Sequence, residues 1–383
     1  MTDFDEIITR DTPEDIKYGK IAGIDDLIPM WVADMDFRCP EEVREALSSL
    51  SQRGIFGYSE ADSSYDLALT GWFKRRYDYD VDPKTVLKLP GVVLGISLAI
   101  RSLTSTGDHI LILEPLYGPI ARAVKGNGRN LVISDLSRKG THYDIDFDDM
   151  ERKIRENNVK MFILCNPHNP AGRVWTRDEL TRIGDICVRN NVIIVSDEIH
   201  ADFVYGNNRH IPIASLSDEI NKITVTCTSP TKTFNLAGIQ AANIIIADDG
   251  MRHEVDKMSL TTGAFGLNIM GIAATKAAYT YGEGWLEDLL RYLEGNIKLV
   301  KDRLKDTKLK VMDIEGTYLM WIDASSLGVK DPAKYLLDKT HIRFSEGSFF
   351  GKSGEDFIRM NIACRRSLVN EALGRLTKLL FLE

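Results

Sequence analysis

Ser229-Pro230-Thr231-Lys232-Thr233-Phe234-Asn235-Leu236-Ala237-Gly238 sets one lysine among hydroxyl residues. It follows directly on Ile223-Thr224-Val225-Thr226-Cys227-Thr228, a short β-branched run that reads as a buried strand. Lys232 is therefore expected in a loop at the carboxyl end of a strand, the edge of an open α/β sheet where ligands bind. A lysine held there out of water has a lowered pKa and can attack a carbonyl to form an imine. Ser229 and Thr231 are placed to hydrogen-bond a phosphate. On these ten residues alone, a surface lysine in a Ser/Thr-rich turn is an equal reading. The sequence upstream decides between the two.

Two further loops follow strand-like runs. Asn166-Pro167-His168-Asn169-Pro170 comes after Lys160-Met161-Phe162-Ile163-Leu164-Cys165. Ser196-Asp197-Glu198-Ile199-His200 comes after Asn191-Val192-Ile193-Ile194-Val195. Asn169 and Asp197 are 28 residues apart, Asp197 and Lys232 are 35 apart, and each gap is the length of one βαβ unit. Parallel strands share an edge, so an amide, a carboxylate and an amine should converge in one cleft. Gly91-Val92-Val93 opens a helix whose free N–H groups and dipole make an anion site. Tyr117 follows another strand, where its ring could stack on a flat ligand. Each residue alone has an ordinary reading: Asp197 as a helix cap, Asn169 as a turn residue, Tyr117 as core, Gly91 as a plain turn. Their joint appearance, in order and each after a strand, describes a pyridoxal phosphate site. There Lys232 carries the aldehyde, Asp197 keeps the ring nitrogen protonated, and Asn169 donates to the phenolic oxygen.

The wider pattern agrees with that cleft. From Gly91 to about residue 283, helical and strand-like segments alternate, which implies βαβ units and a mostly parallel sheet with helices on both faces. Thr176-Arg177-Asp178-Glu179 is a capping box that opens one of these helices. Beyond residue 283 the alternation stops. Trp285 to Lys305 reads as a long helix, and a strand at Leu319–Ile322, a Gly-rich loop and a terminal helix complete a smaller part. The expected architecture is α/β: a large domain over 46–283, with a mostly parallel sheet flanked by helices, plus a smaller α+β domain from 1–45 and 284–383.

Composition narrows the partners. Of 383 residues, 44% are hydrophobic and 27% charged, as in a soluble globular protein. The formal net charge is −8 with no basic stripe, which argues against nucleic acid. No apolar run approaches the ~18 residues of a membrane helix, and Met1-Thr2-Asp3-Phe4-Asp5-Glu6 is not a signal peptide. Five scattered cysteines without Cys-x-x-Cys fit reduced thiols in the cytoplasm and argue against a metal site.

These residues carry a resemblance. Trp31-Val32-Ala33-Asp34-Met35-Asp36-Phe37, Phe56-Gly57-Tyr58-Ser59, Cys165 to Gly172, Ser196 to His200, Lys232-Thr233-Phe234-Asn235, Glu315-Gly316-Thr317-Tyr318 and Phe357-Ile358-Arg359-Met360-Asn361 run nearly end to end. The chain resembles fold-type I pyridoxal phosphate enzymes of the class I/II aminotransferase superfamily, in the cystathionine β-lyase-like C–S lyase branch. The Asn-Pro-x-Asn-Pro and lysine motifs mark the superfamily; Trp31–Phe37 marks the branch. The resemblance implies α,β-elimination on cystathionine, cysteine or related S-substituted amino acids, giving pyruvate, ammonia and a thiol. An aminotransferase on the same scaffold is the alternative. Lys232, Asp197 and Tyr117 would be catalytic. Asn169, Gly91, Val92, Val93, Ser229, Thr231 and His200 would join them around the cofactor. Tyr58 would reach the neighbouring subunit's phosphate in a homodimer. Arg359 would clamp the small-molecule substrate's α-carboxylate, with the Ala33 backbone closing on it. Two departures stand out. Cys364-Arg365-Arg366 replaces the Cys-Pro-Arg of many relatives. Gln240 occupies the place, eight residues after the lysine, where aspartate aminotransferases carry a phosphate-binding arginine.

Overall fold

The computed structural model describes residues 2–382 apart from 11, 20, 22 and 23. Its strands are β1 (Ile28–Met30), β2 (Val86–Leu89), β3 (His109–Glu114), β4 (Asn130–Asp135), β5 (Ser137–Lys139), β6 (His142–Asp144), β7 (Met161–Cys165), β8 (Ile193–Asp197), β9 (Thr224–Thr228), β10 (Ala242–Ile246), β11 (Lys310–Val311), β12 (Leu319–Asp323), β13 (Ile342–Glu346) and β14 (Phe357–Asn361). A seven-stranded sheet runs β2-β10-β9-β8-β7-β3-β4. The pairs from β9 to β4 are all parallel, while β10 is antiparallel to both its neighbours. The sheet is thus mostly parallel and flanked by helices, as the alternation predicts.

The strands are apolar on both faces because helices cover both. In β3 and β7, Ile110, Ile112, Met161 and Ile163 pack on the helix Val92–Leu103 side. The intervening Leu111, Leu113, Phe162 and Leu164 join Leu180, Ile183 and Ile186 of the helix Arg177–Arg189. That helix starts with the capping box read from the sequence, Thr176 accepting from the Glu179 amide and Glu179 reaching back. A smaller five-stranded sheet runs β1-β13-β14-β12-β11. Its edge strand β1 comes from the N-terminal stretch and lies parallel to β13. The long helix near residue 285 spans Glu283–Leu304.

Three expectations need correction. Lys232 is in a one-turn helix, Pro230–Thr233, and not in an open loop. The Ser229 hydroxyl accepts from the Thr231 amide and Pro230 occupies the first helical position, which together nucleate the turn. Asp197 is the last residue of β8 and not a loop residue: it stays in register between Cys165 and Cys227. Ile223 caps a short helix, Asp218–Lys222, and does not open β9. Sequence reading also missed β2 and the reversed strand β10. Both are short, and an antiparallel strand inside a parallel sheet leaves no signature in the period of its own residues.

Candidate active site

The parallel strands end at one edge, and the expected residues gather there. A cavity of about 470 Å³ is lined by Gly91, Val92, Val93, Tyr117, Asn169, Asp197, His200, Thr231, Lys232, Gln240 and the Ala33 backbone stretch, among others. A second cavity of about 400 Å³ shares Ala33, Tyr117 and Lys232 with it and continues to Trp31, Arg343, Ser345, Phe349 and Arg359. The two chambers meet at the lysine.

Burial governs the charges. Lys232 Nζ donates to the Ala33 carbonyl at 2.5 Å. Loss of solvent, with Arg359 nearby, lowers its pKa from 10.5 to about 8. Asp197 moves the opposite way, from 3.8 to about 7, again chiefly because it is buried. Its Oδ1 accepts from the Ile199 amide at 3.2 Å, and the Lys232 charge only partly offsets the desolvation. The site therefore holds a carboxylate short of positive partners and an amine easily deprotonated. His200 is buried with its Nδ1 unpartnered, and burial followed by the Lys232 and Arg359 charges holds it well below the usual histidine range.

Asn169 is fixed from three sides. Its amide donates to Cys165 Sγ at 3.4 Å, its carbonyl accepts from the Tyr117 amide at 3.1 Å, and its Oδ1 accepts from Arg359 Nη1 at 3.1 Å. Arg359 also donates to the Trp31 carbonyl and to Ser345 Oγ, while its Nε has no partner. It lies over the Phe350 ring at 4.7 Å, and burial lowers it to about 10. At the other end of the first cavity, the helix Val92–Leu103 starts at Gly91 with no side-chain cap. A Cβ built at Gly91 meets nothing within 4 Å, so this backbone borders open space. First-turn N–H groups there can receive an anion.

Two expected residues sit elsewhere. Tyr58 is fully exposed and lines neither cavity. Ser229 is buried behind the cavity wall, its hydroxyl donating to the Ala241 carbonyl and capping the lysine turn. Several positioning residues escaped sequence reading. Asn361 donates to the Val32 and Asp34 carbonyls, Tyr318 to the Ala33 carbonyl at 3.0 Å. Asn235, at φ 57°, accepts from the Met35 amide and donates to the Met35 and Phe37 carbonyls. Together they hold the Trp31–Phe37 stretch across the lysine. Asn235, Tyr318 and Asn361 lie inside motifs already quoted, but nothing in their spacing points to a partner hundreds of residues away.

The donor set suits a flat, phosphorylated ligand with a basic ring nitrogen and a carbonyl. It offers an uncapped helix start, a desolvated acid, a desolvated amine and Tyr117 on one wall. Comparison with known proteins agrees. The family model described as aminotransferase class I and II matches residues 25–376. The cystathionine β-lyase PatB of Bacillus subtilis is 40% identical over 364 residues, covering 94% of each chain. Cystalysin from Treponema denticola, whose crystal structure contains pyridoxal 5'-phosphate, superposes with a TM-score of 0.95 at 32% identity over all of both chains. A pyridoxal phosphate-bound C–S lyase from Staphylococcus hominis gives 0.93 at 33% identity, covering 99% of this chain and 98% of that one.

Proposed function

The chain belongs to the class I and II aminotransferase family, and on that premise we propose that it is a pyridoxal 5'-phosphate-dependent carbon–sulfur β-lyase. Its substrates are cystathionine, cysteine or related S-substituted amino acids. The Cα–H and Cβ–S bonds break, sulfur leaves as a thiol, and water takes the three-carbon remainder to pyruvate and ammonia. The observation that carries the reading is the Trp31–Phe37 stretch, characteristic of C–S lyases, folded so that its Ala33 carbonyl receives Lys232 Nζ. Gln240 on the cavity wall, where transaminases of the aspartate type carry arginine, points the same way.

Bound at this site, pyridoxal phosphate supplies an electron sink for charge developing at Cα. The protein's own groups do the rest. Lys232 holds the cofactor and then takes the Cα proton, a task that a pKa near 8 suits at neutral to mildly alkaline pH. Asp197 would hold a proton on the ring nitrogen and gain there a positive partner that offsets its burial. Arg359 receives the substrate α-carboxylate with its forked guanidinium. The first turn at Gly91–Val93 and Thr231 receive the phosphate. His200, held neutral by burial, lines the cavity and would border the ring without adding charge.

The test is to supply cystathionine with and without a 2-oxo acid. Pyruvate, ammonia and homocysteine should form without the acceptor. Turnover that requires the acceptor and yields a new amino acid would establish the aminotransferase reading instead.

The active unit is a homodimer. Ile55, Phe56 and Tyr58 are all more than half exposed, an apolar run that a second copy would cover while Tyr58 reaches its phosphate site. Sedimentation should show a dimer, and a fully active monomer would overturn this. No helix among the described residues is long and apolar enough to cross a membrane. The five cysteines are unpaired, which suits the reducing cytoplasm and can be checked by cell fractionation.

A further inference from the structure

The second cavity holds a cation that the reaction as described does not use. Arg343 is half-buried on its wall, with its guanidinium carbon 3.7 Å from the centre of the Trp31 ring. Among the described residues its side chain forms no ion pair and no hydrogen bond, and it rests on the Trp31 ring. Glu346 lines the same cavity and its charge reaches Arg343, but the two form no ion pair or hydrogen bond.

Strand geometry fixes its direction. Ser345, whose hydroxyl accepts from Arg359, is opposite Arg359 in the β13–β14 ladder. Arg343 is two residues back along β13, and residues two apart share a face. The two arginines therefore look into one chamber, offset by roughly 7 Å along the strand. An amino acid whose α-carboxylate rests on Arg359 and whose Cα faces Lys232 has its side chain running through a chamber with Arg343 on its wall. Trp31 stacks on one face of the guanidinium and leaves its N–H edges for a planar anion.

We propose that Arg343 binds a carboxylate at the far end of the substrate's sulfur substituent, so that the site prefers thioethers ending in a carboxylate over uncharged S-alkyl cysteines. This rests on the lyase reading for the reaction, but not for the binding. The holoenzyme and Arg343→Gln should be compared on S-carboxymethyl-L-cysteine and S-ethyl-L-cysteine by pyruvate release. The ratio of their kcat/KM values should fall about 10-fold or more in the variant, as expected for loss of a charge-assisted bidentate contact. In parallel, L-2-aminoadipate and L-norleucine, isosteric with the two thioethers but without a leaving group, are titrated by the change in cofactor absorption. The wild type should bind aminoadipate the more tightly, Arg343→Gln should bind both alike, and Arg359→Gln should weaken both together. An unchanged ratio, or equal loss of both amino acids in Arg343→Gln, would leave Arg343 as a mere cover for Trp31 and overturn the proposal. Absence of pyruvate from both thioethers would sink the lyase reading, while the titration still decides the role of Arg343.

Discussion

Replacing Lys232 by alanine is expected to lower pyruvate release by roughly 10²–10⁴-fold or more, since it removes both the cofactor's anchor and the proton acceptor. The magnitude follows from the position. Lys232 is half-buried, it is the residue at which the two chambers meet, and a pKa near 8 leaves a substantial neutral fraction at mildly alkaline pH. Lys232→Arg should fail as completely. Arginine keeps the charge and much of the bulk but cannot give up its proton. A residue that merely filled the cavity would be rescued by that change. Borohydride reduction of the wild type, followed by peptide mapping, should place the pyridoxyl group on Lys232. A label on another lysine, or either variant within tenfold of wild type, would defeat the assignment.

The second large effect is at Asp197, and it has two signs. Asp197→Asn should lose most turnover, because an amide cannot hold the proton on the ring nitrogen. The same change should stabilise protein stripped of its cofactor. The carboxyl pKa rises from 3.8 to about 7 in the folded chain. Between those values the unfolded chain has already released a proton that the native state keeps. Stability therefore falls as pH rises through that window, and the full deficit persists above about 7. Asparagine removes the deficit and can still accept from the Ile199 amide through its own oxygen. Thermal unfolding of the stripped proteins at pH 5 and pH 8 should show the variant gaining at pH 8 relative to pH 5. Near-normal turnover, or a variant less stable at pH 8 than the wild type, would count against this role.

The parallel sheet was legible because its strands are short apolar or β-branched runs and its connecting helices amphipathic, so period and length identified both. The cleft was legible because parallel topology turns three motifs far apart in sequence into neighbours. What escaped is contact between elements that no periodicity links. The side chains of Asn235 and Asn361 complete their hydrogen bonds on backbone some 200 and 330 residues away. Arg343 reads in sequence as one more charge on a strand, and only the register of β13 against β14 turns it towards the substrate chamber. Gln240 was noticed as a departure, but its place on the cavity wall came from the fold. The Cys364-Arg365-Arg366 departure lies between the last strand and the last helix: β14 ends at Asn361, and Arg366 opens the helix while its guanidinium lies over Tyr292.

The pairing of β1 with β13 carries a constraint on biosynthesis. A ribosome makes Ile28–Met30 first and its partner Ile342–Phe344 314 residues later. At about 5–20 residues per second, the early segment emerges roughly 15–60 s before anything exists for it to pair with. The stretch that later folds across Lys232 waits with it, because Asn361 is made later still. The lysine turn and its sheet can form during translation, but the pocket closes only once Asn361 has been made.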